Sequence, residues 1–184
     1  MDEKKRIKCI LQGDTSAFSY FVETYQDMAV TIAYRMCNNR QDAEDIAQDA
    51  FVKAFHNLHT FRLDSKFSTW LFRIVYNTTI THIHSSFYTS SFSDYSEINA
   101  IDEEADIIEK ISEREKQEIV NRVLEQLPKD SSLILTLFYL NENSIKEIVQ
   151  ITGLSDANVK VKLHRARKQF ASALSNIYKN EAVK

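Results

Sequence analysis

An all-helical fold follows from three features of this 184-residue chain. Two glycines and one proline leave almost no turn chemistry for an antiparallel sheet. Long runs place apolar residues at the 3-4 spacing of amphipathic helices. The hydrophobic content of 43% can supply a core to one domain or to two small ones. The expected architecture is two small helical domains, residues 1–84 and 110–184, joined by an acidic, serine-rich linker at 85–109.

The first helix is expected from Asp14 or Thr15, either of which can cap it. Phe18, Phe21, Val22, Tyr25, Met28 and Ala29 follow one face, and Ile32, Ala33 and Met36 extend it to about Asn38. The second begins near Gln41 or Asp42. Its small-residue stripe, Ala43, Ile46, Ala47, Ala50 and Ala54, permits close packing, while Asp42, Asp45, Gln48, Asp49 and Lys53 occupy the outer surface. Four acids between Asp42 and Asp49 invite a metal or carboxylate-catalysis reading. No histidine lies nearby at ligand spacing, however, so a solvated or protein-docking face is expected and no metal.

The third segment, Phe61 to Asn77, interleaves aromatic and basic residues, a composition suited to single-stranded DNA. Phe67, Trp70, Leu71, Ile74 and Val75 form a core stripe by themselves. The nucleic-acid contacts are therefore expected from Arg62, Asp64, Ser65 and Lys66 in the loop, and from the polar side carrying Arg73, Asn77 and Thr78. The histidine pairs His56/His59 and His82/His84 lack cysteine or carboxylate partners at zinc spacing.

Residues 85–109 contain seven acids and neither lysine nor arginine. The serine-rich first half has no sustained helical period, because serine competes locally for backbone hydrogen bonds. A structureless stretch of this length is uncommon inside a compact domain.

Beyond it, Ser144 to Lys168 has the layout of a helix-turn-helix. Ser144 and Glu147 have capping-box spacing, Gly153 supplies the turn, and Ser155 can cap the second helix. Along that helix Val159, Leu163, Ala166 and Phe170 share the apolar face. Lys160, Val161, His164, Arg165 and Lys168 lie opposite. From Ser155 to Phe170 the sole acid is Asp156, in the first turn, where the helix dipole favours it. Such a face suits the phosphates and base edges of a major groove. The net charge of −3 conceals opposed local fields, since Asn143 to Lys184 carries eight bases and three acids.

Cys9 and Cys37 are single and far apart, which argues against a disulfide framework or thiolate metal site. No run approaches the roughly 18 apolar residues of a membrane span, and the N-terminus has no signal-peptide core. The expected location is the cytoplasm.

Three segments in order, DAEDIAQDAFVKAF (Asp42 to Phe55), FSTWLFRIVYNTTITHI (Phe67 to Ile83) and LPKDSSLILTLFYLNENSIKEIVQITGLSDANVKVKLHRAR (Leu127 to Arg167), resemble an extracytoplasmic-function sigma factor of the sigma-70 family. The resemblance implies that residues 1–84 are region 2, binding core RNA polymerase and the promoter −10 element, and 110–184 are region 4, binding the −35 element. Asp45, Gln48, Asp49, Val52 and Lys53 would meet the polymerase. Arg62, Asp64, Ser65, Lys66, Trp70, Arg73 and Asn77 would capture and hold the melted −10 strand. Lys160, Val161, His164 and Arg165 would read the −35 element, with Arg167 and Lys168 on phosphates and Asn158 on a phosphate or adenine edge.

The resemblance further implies promoter DNA and an anti-sigma factor as partners, a linker that threads through the polymerase, no catalytic residues and no cofactor. Thr81 departs from the family's usual aspartate, His84, Ser85 and Ser86 replace its usual basic residues, and Val149 stands where alanine is frequent. The competing reading from the residues alone is a stand-alone helix-turn-helix regulator with an N-terminal sensing or dimerising domain. An enzyme has little support, for no glycine-rich phosphate loop or nucleophile motif occurs.

Overall fold

A computed structural model describes residues 2–87 and 113–181. Most of the expected linker, 88–109, lies outside the described residues. Among those described there are eight α-helices and no strand.

The chain starts with α1 (Glu3–Leu11), which buries Ile7 and Ile10. A single 3-10 turn, Thr15–Phe18, leads into α2 (Ser19–Cys37). Asp14 precedes that turn and accepts the Ser16 hydroxyl at 2.6 Å instead of capping backbone amides. Asn38 ends α2 in the left-handed region at φ 60°, which asparagine tolerates better than most residues.

Asn39 then caps α3 (Arg40–Asn57), its side chain accepting from the Gln41 and Asp42 amides. The expected stripe of Ala43, Ile46, Ala47, Ala50 and Ala54 is buried, together with Phe51. Small side chains let α3 lie close against α2 and α4, with which it packs.

The long α4 (Phe67–Phe87) follows a loop. Phe67, Leu71, Phe72 and Val75 are buried, while Trp70 and Ile74 are half-buried against them. Phe67 meets Phe21 at a ring-centroid distance of 4.1 Å and Trp70 at 5.6 Å. Thr78, expected on the polar side, is buried. Helix α4 is covered by α2 and α3 on one side and α7 on another, so its polar strip is narrower than a surface helix would have. The Thr78 hydroxyl accepts from Lys53 Nζ at 3.4 Å.

In the second half, α5 (Glu113–Gln126) and α6 (Lys129–Leu135) flank Leu127 and Pro128, with Pro128 at the N-cap of α6. Helix α6 runs into a π-turn at Thr136–Leu140, where one extra residue per turn bulges the helix. Then come α7 (Ile145–Thr152) and α8 (Asp156–Glu181).

The two halves share one apolar core. Phe21, Ile32, Phe67 and Leu71 from the first belong to the same buried cluster as Leu124, Leu137, Ile148 and Leu163 from the second. The contacts run from α4 to α7 and from α2 to α6. A smaller apolar cluster, Ile119, Val123 and Ile177, joins α5 to the far end of α8.

Candidate nucleic-acid and protein interfaces

Three surfaces carry the residues singled out from the sequence. On α3, Asp45, Gln48, Asp49, Val52 and Lys53 are all exposed. Lys53 Nζ lies 3.2 Å from Asp49 Oδ2, one turn away, a solvent-screened pair that contributes little stability. Val52, 50% exposed on an otherwise polar face, borders a groove of about 630 Å³ between α2 and α3, floored by Val22, Val30, Ala47, Phe51 and Phe55. The sequence showed the acids but not the groove. Phe51 and Phe55, beside the small-residue stripe, line this hollow from α3.

The second surface is the loop before α4. Arg62, Asp64, Ser65, Trp70 and Arg73 converge on a pocket of about 300 Å³, completed by Thr60, Phe61, Thr69 and Gln150. Trp70 is held against Phe61 at 5.2 Å between ring centroids. Leu63, at the tip, has φ 62° and is 45% exposed. A branched side chain in that region costs about 1–2 kcal/mol, so the loop is held by its surroundings rather than by local preference.

Lys66 points elsewhere. With Asp64 and Ser65 it lines a second hollow of about 330 Å³ against α1, and its Nζ lies 3.0 Å from Glu147 Oε1 on α7. Asn77 is exposed one turn beyond Arg73, outside the pocket. Thr81 donates to the Asn77 carbonyl at 2.9 Å, and Ser85 to that of His82 at 2.8 Å. Both hydroxyls are thereby satisfied within the helix.

The third surface is the helix-turn-helix. Ser144 Oγ accepts the Glu147 amide at 3.3 Å while Glu147 Oε2 accepts the Ser144 amide at 2.8 Å, completing the capping box. Burial opposes ionisation of Glu147, but the Ser144 amide, the Ser144 hydroxyl and the Lys66 ammonium outweigh it and hold the carboxyl below the usual range. Gly153 turns the chain at φ 73°. Ser155 Oγ accepts the Asn158 amide at 3.3 Å.

Val159, Leu163 and Ala166 are buried and Phe170 is half-buried, so Asn158, Lys160, Val161, His164, Arg165, Arg167 and Lys168 all face out. Lys160 pairs with Asp156 at 2.6 Å, and Lys162 reaches back to Asp130 at 2.6 Å. Arg167 donates to the Tyr139 hydroxyl at 2.8 Å and lies over the Phe138 and Tyr139 rings, at 5.3 and 5.6 Å. Both rings come from the π-turn, which local periodicity did not signal. Beside it Val120, Leu124, Leu140 and Phe170 line a hollow of about 430 Å³.

No group of three or more histidine, cysteine, aspartate or glutamate side chains able to hold a metal occurs among the described residues. None of the described helices is long and apolar enough to cross a membrane.

Comparison with known proteins matches two stretches of the chain. Residues 21–86 match the family model for sigma-70 region 2, and residues 106–170 match that for sigma-70 region 4. The ECF RNA polymerase sigma factor SigW of Bacillus subtilis is 35% identical over 95% of this chain and 97% of its own length. The ECF RNA polymerase sigma-E factor of Escherichia coli K12 is 32% identical over 88% of each chain. Among solved structures, CnrH in complex with the cytosolic domain of CnrY has a similar fold, with a TM-score of 0.65 at 23% identity over 95% of this chain and 97% of that one. RpoE of Bartonella quintana, solved with the anti-sigma factor NepR, also has a TM-score of 0.65, at 18% identity over 86% of this chain and 96% of that one.

Proposed function

We propose, for a chain that belongs to the sigma-70 family as an RNA polymerase sigma factor of the extracytoplasmic-function type, a division of labour among the three surfaces. Residues 1–84 act as region 2 and 110–184 as region 4, with 85–109 as the tether between them. The exposed Asp45, Gln48, Asp49, Val52 and Lys53 dock on core polymerase, where Val52 and the neighbouring groove supply apolar contact and the carboxylates supply orientation.

The pocket formed by Arg62, Asp64, Ser65, Trp70 and Arg73 takes one unpaired base of the −10 element. Its aromatic wall offers stacking and its guanidinium groups hold the flanking phosphates, which offsets the few kcal/mol needed to extrude a base. Lys66 and Asn77 hold the strand on either side. Region 4 presents Lys160, Val161, His164 and Arg165 to the base edges of the −35 element. Arg167 and Lys168 meet phosphate, and Asn158 meets phosphate or an adenine edge.

The observation that carries this reading is the convergence of the loop and α4 residues on one pocket beside exposed cations. In this reading the chain has no chemistry of its own and works by binding in the cytoplasm. Its partners are core polymerase, promoter DNA and an anti-sigma factor that holds it inactive.

The test is run-off transcription with purified core polymerase on a library of genomic fragments. A discrete promoter set is expected with core present, and weak promoter binding by the chain alone. Tight, specific binding by the isolated chain would favour a stand-alone regulator and sink the proposal. Trp70→Ala should reduce open-complex formation more than it reduces association with core.

A further inference from the structure

We infer that Leu63 is a wedge: its side chain enters the gap left in the base stack when the neighbouring base turns into the pocket, and so assists opening of the −10 element. The inference rests on the functional reading above and gives a role to the residue between Arg62 and Asp64.

The loop is short and both of its ends are fixed. Phe61 and Phe67 are buried with their rings 5.8 Å apart, and Phe67 is itself packed on Phe21. Residues 62–66 could reach about 17 Å if extended, so they must fold back on themselves between those anchors. The left-handed turn falls at Leu63, with φ 62°. Glycine or asparagine would adopt it at lower cost. The other non-glycine residues with positive φ among the described residues are Asn38 and Glu142, both polar.

Leucine therefore adds nothing to the turn, and at 45% exposure burial repays the backbone only in part. What it does add is an apolar side chain at the tip of a loop whose other members face a pocket. Strain that packing does not fully repay is characteristic of ligand-binding positions.

The placement suits a wedge. Asp64 and Ser65 line both the base pocket of about 300 Å³ and the hollow of about 330 Å³ on the α1 side, whereas Leu63 lines only the second. It stands just outside the pocket, next in sequence to Arg62 and Asp64. Adjacent Cα atoms are about 3.8 Å apart, close to the roughly 3.4 Å between stacked bases of one strand. A base held in the pocket thus leaves its former stacking neighbour beside Leu63. In the α1-side hollow the carboxylates of Asp2, Glu3 and Asp64 outnumber the ammonium groups of Lys4 and Lys66, which disfavours phosphate there. Leu63 accordingly meets a base face and not the backbone. An apolar side chain inserted at a base step offsets the cost of unstacking it.

The test compares two forms of one promoter from the run-off set, one fully duplex and one with its −10 element held open by mismatches. On the duplex, holoenzyme carrying Leu63→Gly or Leu63→Asn should form open complexes at least about tenfold more slowly than the parent. Leu63→Met, which keeps an apolar side chain of similar volume, should stay within about threefold. On the mismatched template both polar and glycine variants should come within about twofold of the parent, because the pairs that Leu63 helps to part are already open. Association with core polymerase should be the same for all.

Equal slowing on both templates would show that Leu63 shapes the pocket instead of parting the bases, and overturns the inference. Parental rates for Leu63→Gly and Leu63→Asn on the duplex overturn it as well. The left-handed turn predicts a urea midpoint for Leu63→Gly close to the parent's; a fall of more than about 0.5 M in both variants would make Leu63 a packing anchor of the loop and also overturns the inference. Parental opening rates for Trp70→Ala would instead remove the base pocket itself, and are scored on the chain with Leu63 in place.

Discussion

Replacing Gly153 with alanine isolates the backbone contribution to the helix-turn-helix. Gly153 ends α7 at φ 73°, with its amide donating to the Val149 carbonyl at 2.9 Å. A Cβ added there meets no atom within 4 Å, so no steric clash contributes. What remains is the left-handed backbone, which costs an L-residue about 1–2 kcal/mol. Alanine also narrows the unfolded ensemble, which returns about 0.4–1 kcal/mol.

The net expectation is a loss of about 1 kcal/mol. With a urea m-value of roughly 1–3 kcal/mol/M, the unfolding midpoint followed by circular dichroism should fall by about 0.3–1 M. Gly153→Asn should cost distinctly less, because asparagine enters this region more readily. An alanine variant as stable as the parent would show that the left-handed turn is not what the folded chain requires. A loss beyond about 3 kcal/mol would show a packed Cβ where open space is seen.

Three further outcomes follow from other parts of the molecule. Arg165→Ala should weaken holoenzyme binding by about 1–3 kcal/mol and relax preference at one −35 position, whereas Lys168→Ala should weaken all sequences alike and reduce the salt slope by about 1; filter binding over a promoter-variant set at several salt concentrations separates them. Glu147 has a folded-state pKa below its ordinary 4.5, so its contribution is present above that range and is lost as pH falls through the lowered value; Glu147→Gln should flatten acid unfolding below about pH 4.5, and an unchanged acid limb would refute the role given to the capping box and Lys66. Serine in place of the acids between Asp94 and Glu109 should weaken core binding or initiation more than it alters the fold, read by reconstituted transcription beside circular dichroism.

Legibility followed the range of the interactions. The α3 stripe and the helix-turn-helix were readable because cap, turn and periodicity are local: Ser144, Glu147, Gly153, Val159 and Leu163 occupy the expected places. Helix α1 has no clear signature in the sequence, since Ile7 and Ile10 are embedded among lysines and an arginine and only their docking makes them core. The pattern of α4 alone puts Thr78 on a polar face, because it does not reveal that α3 and α7 both pack on this helix. The sharing of one core by the two halves, and the second role of Glu147 as partner to Lys66, depend on residues about 80 positions apart. No local period encodes such contacts.

The π-turn at Thr136–Leu140 makes the length of this segment as consequential as its composition. An α-helix advances about 100° per residue, from 3.6 residues per turn. Deleting one residue there would let the helix close regularly and rotate everything beyond it by about that angle relative to α6. The rings of Phe138 and Tyr139 would leave Arg167, and Asn143, buried at the approach to α7, would lose its seat. A conservative substitution in the LFYL run should therefore be tolerated far better than a single-codon deletion, which would misalign the reading helix without touching any residue that faces DNA.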